Sequence, residues 1–437
     1  MKTKRLWVII LVPLLSVQAK AQTDTVVTDS VPESMNYIEE EAMEDSYDDF
    51  LQVRVKGFLD TYHAVRTSGK RDFMASRTRA RGELRLKKGG AALLVSLNAT
   101  YNGLLKERSG LNLREAYLSY EKGNLDLRIG RQIIVWGVAD ALCITDKVSP
   151  FDYSEFLAQD YDDIRIPVNA LRAKYTWQSI TFEALLNPVV NFFIIPIDKE
   201  NPWALRFQNT PLPYTIDLES GKPEKRLKNM EYGGRITVNL RGIDLSISAL
   251  RTWNKMPALC INLAEDGRSQ QIAGKYNRMT MVGADCSFPI SQMVVRCETA
   301  YYIGEAQGGI IQQEAPRRNS INTLLGVDWY PGSDWNISVQ YSHKYTSGNM
   351  TGLSIHRNEG LATARISKEF LQNMLKISTF AYYDVTNRGI FNRLSASYAL
   401  NDQVELTAGY DYFNAKKGKF AMYANNSESW VKVKYSF

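Results

Sequence analysis

The sequence predicts an all-β fold, a transmembrane antiparallel β-barrel of about eighteen strands. Three observations predict it. From Gln52 onward the chain falls into segments of about ten residues that alternate apolar and polar, the length a tilted membrane strand requires. Tight turns alternate with long loops through all the connections between them, a rhythm that a soluble sandwich would rarely keep. The chain ends on an alternating strand in which Val431, Val433, Tyr435 and Phe437 interleave with Lys432, Lys434 and Ser436.

Before the first strand lie two stretches of different composition. Residues 1–21 have the form of an export signal: Lys2, Lys4 and Arg5, then an apolar run from Leu6 to Val17, then Ala19-Lys20-Ala21 as a small-x-small cleavage site before Gln22. The apolar run is too short for a spanning helix, which needs ~20 residues. Residues 22–50 hold ten acids and no Lys or Arg, which reads as a solvated, disordered periplasmic segment or a docking tail. Residues 51–437 are the barrel. Of the 53 basic and 47 acidic residues of the chain, 49 basic and 37 acidic fall in that body, so it is basic while its leader is acidic.

The strand segments are expected near 52–62, 76–86, 91–101, 111–121, 125–135, 168–177, 179–187, 232–241, 243–253, 279–288, 292–302, 321–330, 335–345, 361–370, 375–385, 392–400, 404–412 and 427–437. Both termini then lie on the short-turn side, as in barrels with short periplasmic turns and long extracellular loops. Aromatics near segment ends, Trp177, Trp253, Trp329, Trp335 and Trp430, suit interfacial girdles.

The second segment carries Arg77, Arg79, Arg81, Glu83 and Arg85 on one face. Facing hydrocarbon, each arginine would cost roughly 2–4 kcal/mol at mid-bilayer, so that face belongs to the lumen. The same parity puts Arg54, Lys56, Arg128, Arg172, Lys174 and Arg235 inside, with Asp60, Glu115, Asp126, Glu183, Glu298 and Asp411 among the acidic partners. One reading is an anion pathway; the other is cross-strand pairing that neutralises buried charge.

Two long loops stand out. Residues 136–167 contain Trp136, Asp140, Asp146, Asp152, Glu155, Asp160, Asp162 and Asp163, acids expected to fold inward onto the basic wall and narrow the pore. Asp160, Asp162 and Asp163 could hold Ca²⁺, but their spacing is not that of an EF-hand, and a loop of solvated acids with no metal is the expected state. Residues 188–231 include Val189, Val190, Phe192, Phe193, Ile194, Ile195, Pro196 and Ile197, which would pack as a lid across the mouth or form a path for a hydrophobic ligand.

Four cysteines, Cys143, Cys260, Cys286 and Cys297, form neither a disulfide framework nor a metal motif, and simple hairpin register sets Cys297 opposite Val282. Three scattered histidines, His63, His343 and His356, make zinc chemistry and a His-based triad improbable, and there is no phosphate-binding Gly-rich loop. The composition therefore points away from an enzyme, a cofactor or a nucleic-acid partner.

Two stretches carry a resemblance. The terminal strand resembles the closing strand of bacterial outer-membrane barrels, which the barrel assembly machinery reads, and implies a Gram-negative outer-membrane location among lipids. Gly130-Arg131-Gln132, then Trp136-Gly137, then Pro150-Phe151-Asp152 resemble a family of outer-membrane barrels classed only as domains of unknown function, and more distantly the eighteen-stranded alginate-export porins. The resemblance carries over no substrate; with the barrel it implies a porin-type passage, and the excess of basic residues facing the lumen is what points to small, anionic solutes. The alternatives are a conduit or acceptor for lipids and other hydrophobic ligands, to which the apolar 188–197 run belongs, and a non-conducting barrel that docks partners through 22–50.

Overall fold

The computed structural model describes residues 50–437 apart from 140, 141, 143, 157–162, 208–211, 264–266 and 309–314. The export signal and nearly all of the acidic leader, with Asp140, Asp160 and Asp162, lie outside the described residues.

Twenty-one strands follow in order: β1 Gln52–Arg66, β2 Phe73–Lys88, β3 Ala91–Asn102, β4 Gly110–Lys122, β5 Leu125–Gln132, β6 Val168–Trp177, β7 Ile180–Val189, β8 Tyr214–Asp217, β9 Glu231–Leu240, β10 Ile243–Trp253, β11 Ala258–Leu263, β12 Gln270–Lys275, β13 Arg278–Ile290, β14 Met293–Ala306, β15 Arg317–Trp329, β16 Trp335–Thr346, β17 Asn358–Phe370, β18 Leu375–Asp384, β19 Gly389–Ala399, β20 Val404–Asn414 and β21 Glu428–Ser436. Eighteen of them form one closed antiparallel sheet, each bonded to its chain neighbour in the wall and β21 bonded back to β1. All eighteen expected segments are there. Closure removes every sheet edge, which is what allows strands to cross hydrocarbon.

Sequence decides which face is which. Val53, Val55, Leu59, Val431, Val433 and Tyr435 are exposed on the outer face, while Asp60, Tyr62 and Ala64 are buried inside. Trp177, Trp329 and Trp335 stand on the outer surface as a girdle requires. Trp430 does not. Its even position puts it on the face of Lys432 and Lys434, where it stacks on Tyr62 at 5.5 Å and donates to Asp411 at 3.1 Å.

Three details depart from simple alternation. The turn joining β13 and β14 is only Ser291 and Gln292, Ser291 taking φ 55°, so Cys297 faces Cys286 directly and not Val282, which faces Tyr301. The fifth strand stops at Gln132, short of 135. Its backbone turns into the barrel there, and Glu115 accepts the Ile133 N–H at 2.8 Å. Finally, β8, β11 and β12 form a separate three-stranded sheet in the long loops, with β8 parallel to β12. No local pattern marked it.

The upper lumen, towards the long loops, holds an apolar core. Ile134, Trp136, Ile144 and Trp203 from the loops pack with Met281, Tyr302, Phe391 and Phe413 from the wall, all buried. At these wall positions the strand is therefore apolar on both faces, one for lipid and one for the inserted loops.

Candidate functional site: a strap across the lumen

The segment 133–167 leaves β5, crosses the lumen and returns to β6. Its first half is pinned to the far wall. Glu298 on β14 accepts from the backbone N–H of Val138 at 2.5 Å, Ala139 at 2.7 Å and Thr145 at 3.1 Å, and from the Thr145 hydroxyl at 3.2 Å. Arg296 donates to the Val138 carbonyl at 2.7 Å and Tyr302 to the Ile144 carbonyl at 2.7 Å. Gly137 makes this approach possible: it sits at φ 94°, and a Cβ there would lie 2.5 Å from Glu298 Oε1 and from Thr145 Oγ1.

The second half is pinned to β2. Arg77 bonds Glu155 at 2.7 Å, and Arg79 and Arg81 each reach Asp163 at 2.7 Å. Arg79 also pairs with Asp60 at 2.5 Å, and Arg114 approaches Asp163 to 3.7 Å. Within the strap, Asp146 holds Arg165 at 2.5 Å, and Asp152 ties the strap to Arg108 of the β3–β4 loop. Trp136 donates its indole N–H to Glu183 at 2.8 Å. Each half of the strap thus ends in charge-assisted bonds to a different wall, the strongest class of hydrogen bond available.

Of the other expected lumen residues, Arg172 reaches the strap only through Glu183, the acceptor of Trp136, and the rest lie along the wall. Arg54 sits opposite Arg85 across β1 and β2, one step along from Lys56 with Glu83 at 3.1 Å. Arg128 lies near Asp126 at 3.4 Å and in register with Arg172, which pairs with Glu183 at 2.9 Å. Lys174 stands in register with Asp126 on one side and Glu183 on the other. Arg235 bonds Asp285 at 2.7 Å.

Arg114 was not foreseen. By parity it should face lipid, but β4 bulges between Glu115 and Leu113 against Ser96 and Leu97, so Arg114 and Glu115 both turn inward. Burial alone would push the Asp163 carboxyl up, yet Arg79, Arg81 and Arg114 outweigh it and hold it well below the usual carboxylate range. A carboxylate with a depressed folded value stabilises above its unfolded value and lets go only as pH falls through the depressed one. The β2 anchor should therefore hold unchanged from pH 8 down to about 4, the ordinary carboxylate value, and the conductance gain caused by Asp163→Asn should be the same at either end of that range. A gain that shrinks within it in bilayer recordings would contradict this assignment.

The apolar run after β7 lies on the strap. Phe193 stacks on Tyr153 at 5.4 Å and sits 5.5 Å from Phe151, and Ile194 exchanges backbone bonds with the strap, donating to Phe151 at 3.0 Å and accepting from Tyr153 at 2.8 Å. His343 contacts Tyr341 at 3.3 Å and Asn358 at 3.2 Å.

A closed eighteen-stranded barrel with an inward strap is the architecture of outer-membrane porin-type proteins. The chain belongs to the DUF1302 family, described as proteins of unknown function, whose profile matches residues 15–377. A search of curated proteins gives no match. Among solved structures the chain is similar to Pseudomonas aeruginosa OccK1 (TM-score 0.52, 9% identity, covering 88% of this chain and 98% of that one). It is also similar to OccK2 of the same organism, solved in complex with glucuronate (0.51, 10%, 88% and 98%), and to OccK11 (0.51, 8%, 88% and 96%). At these identities the likeness concerns the fold.

Proposed function

We propose that this chain is an outer-membrane channel whose lumen is narrowed by the strap and whose passage depends on strap position. The observation that carries this reading is the double anchoring: Glu298 holds one half of the strap and the Arg77–Arg79–Arg81 face holds the other. An unobstructed barrel of 16–18 strands leaves an aqueous channel. In planar-bilayer recordings the wild type should give stepwise conductance several-fold below that of an open barrel of equal strand number. Open-barrel conductance from the wild type would remove the strap from the account. Silence from both wild type and strap-released variants would sink the channel reading itself.

A second reading, anion preference, rests on Arg54 facing Arg85 in the lower lumen. The upper arginines support it less, because Asp60, Glu155 and Asp163 consume their charge. Changing Arg54, Lys56 and Arg85 together to Ser should move the reversal potential in a KCl gradient towards non-selectivity, whereas Arg77→Ser should move it little. An unshifted potential in the triple variant argues against an anion path. Deleting 22–50 should leave insertion intact, read as heat-modifiable gel migration; loss of the folded band would make that segment part of the fold.

A further inference from the structure

We propose that a cavity at the long-loop mouth is a binding chamber for one small amphiphile with an alkyl or ring body and a carboxylate-type end. This rests on the channel reading above and names its substrate class. The cavity holds about 570 Å³, inside the roughly 300–1,000 Å³ range of sites that take small molecules. One side is the strap, through Phe151, Tyr153 and Phe156. A second is the apolar run, through Phe193 and Ile195, and a third is the loop before β21, through Phe420 and Tyr423. Rings from these three segments stack on each other, Phe156 against Tyr423 at 4.0 Å and Tyr153 against Phe193 at 5.4 Å, and so brace the cavity from behind. Water in such a space finds few partners, and an apolar body that displaces it gains free energy.

The opposite side is the barrel wall and is polar. Ser342, Lys344, Glu359 and Asp384 face the cavity there, with Lys147 and Lys419 completing the charged set. Of these three lysines only Lys344 belongs to the wall; Lys147 is on the strap and Lys419 in the loop before β21. Asp384 is already engaged, accepting from the Asn387 backbone N–H and side-chain amide at 3.0 Å each, while Lys344 reaches Glu305 at 2.7 Å. On the wall Lys344 is answered by Glu305 and Glu359, so the positive charge that selects an anionic end comes from Lys147 on the strap and Lys419 in the loop before β21, with the body against the aromatic rings. An occupant also touches the strap between Asp152 and Glu155, next to the Arg77 anchor, which places it where it meets the element that narrows the lumen.

The test uses the full mature protein in nanodiscs, with radiolabelled dodecanoate as probe and empty nanodiscs of the same lipid as background. Saturable binding of one dodecanoate per barrel is expected. Ser342→Trp, which fills the cavity from the wall, should weaken it at least tenfold, and dodecanol should compete at least tenfold less well than dodecanoate. If Ser342→Trp fails to give the folded heat-modifiable band, Leu361→Trp on β17 serves the same purpose. Binding that is unsaturable, or equal in the filled variant and the wild type, overturns the chamber; equal competition by dodecanol overturns the anionic end. Dodecanoate binding with no conductance from strap-released barrels would leave the chamber and remove the channel. Conductance without binding would do the reverse.

Discussion

Asp163→Asn should raise single-channel conductance at least fivefold while the barrel still inserts. The amide keeps the volume but removes the charge that three arginines share, and Arg79 and Arg81 each lose a partner held at 2.7 Å. Breaking a buried ion pair from one side costs about 3–5 kcal/mol. The lower end applies here, because the Asp163 side chain is 14% exposed and Asp60 still engages Arg79. That cost falls on the strap-closed state only. The barrel wall, held by its own ladder, has no part in it, so the closed arrangement loses its advantage over a displaced one. Arg79→Ser would be a poorer probe, since it also strands Asp60. If Asp163→Asn conducts like the wild type, the β2 anchor does not set the passage.

Glu298→Ala should have the second-largest effect, at the other wall. It strands three backbone N–H groups and one hydroxyl at once, and a buried donor left without a partner costs about 1–3 kcal/mol. Water entering the space will return part of this. Conductance should again rise, and the strap should become open to cutting by an added protease between Val138 and Thr145, which the wild type resists. Glu298→Gln provides the control: its remaining carbonyl still accepts, and it should lie between the two. Combined with Asp163→Asn, the effect should be less than the product of the single effects, because a strap freed at one anchor gains less from losing the other. Fully multiplicative effects would mean that the two anchors act on separate elements.

Alternation is a backbone property, so it could be read from residues alone: all eighteen wall strands and the inward face of β2 follow from it. What was hidden depends on contacts distant in sequence. Arg114 faces inward only because one extra residue bulges β4 against β3. Cys297 meets Cys286 because its turn holds two residues, a difference that composition does not encode. The acids of 136–167 pointed inward on charge grounds, but Glu298 as the receiver of four donors could not be found, since a lumen carboxylate opposite backbone N–H groups looks like any other lumen carboxylate. The apolar upper lumen was concealed for a related reason. Residues such as Met281 and Tyr302 read as ordinary wall positions until the loop that covers them is in place.

Gln132 and Val168, the two roots of the strap, are partners in the β5–β6 ladder. Both ends of the segment therefore leave the rim at one point. A band fastened at opposite sides of a ring could only slacken; one fastened at a single point can swing. In a channel of the kind proposed, a strap released from its anchors on β14 and β2 would pivot on the β5–β6 rim, carrying with it the Ile194 segment that is bonded to it.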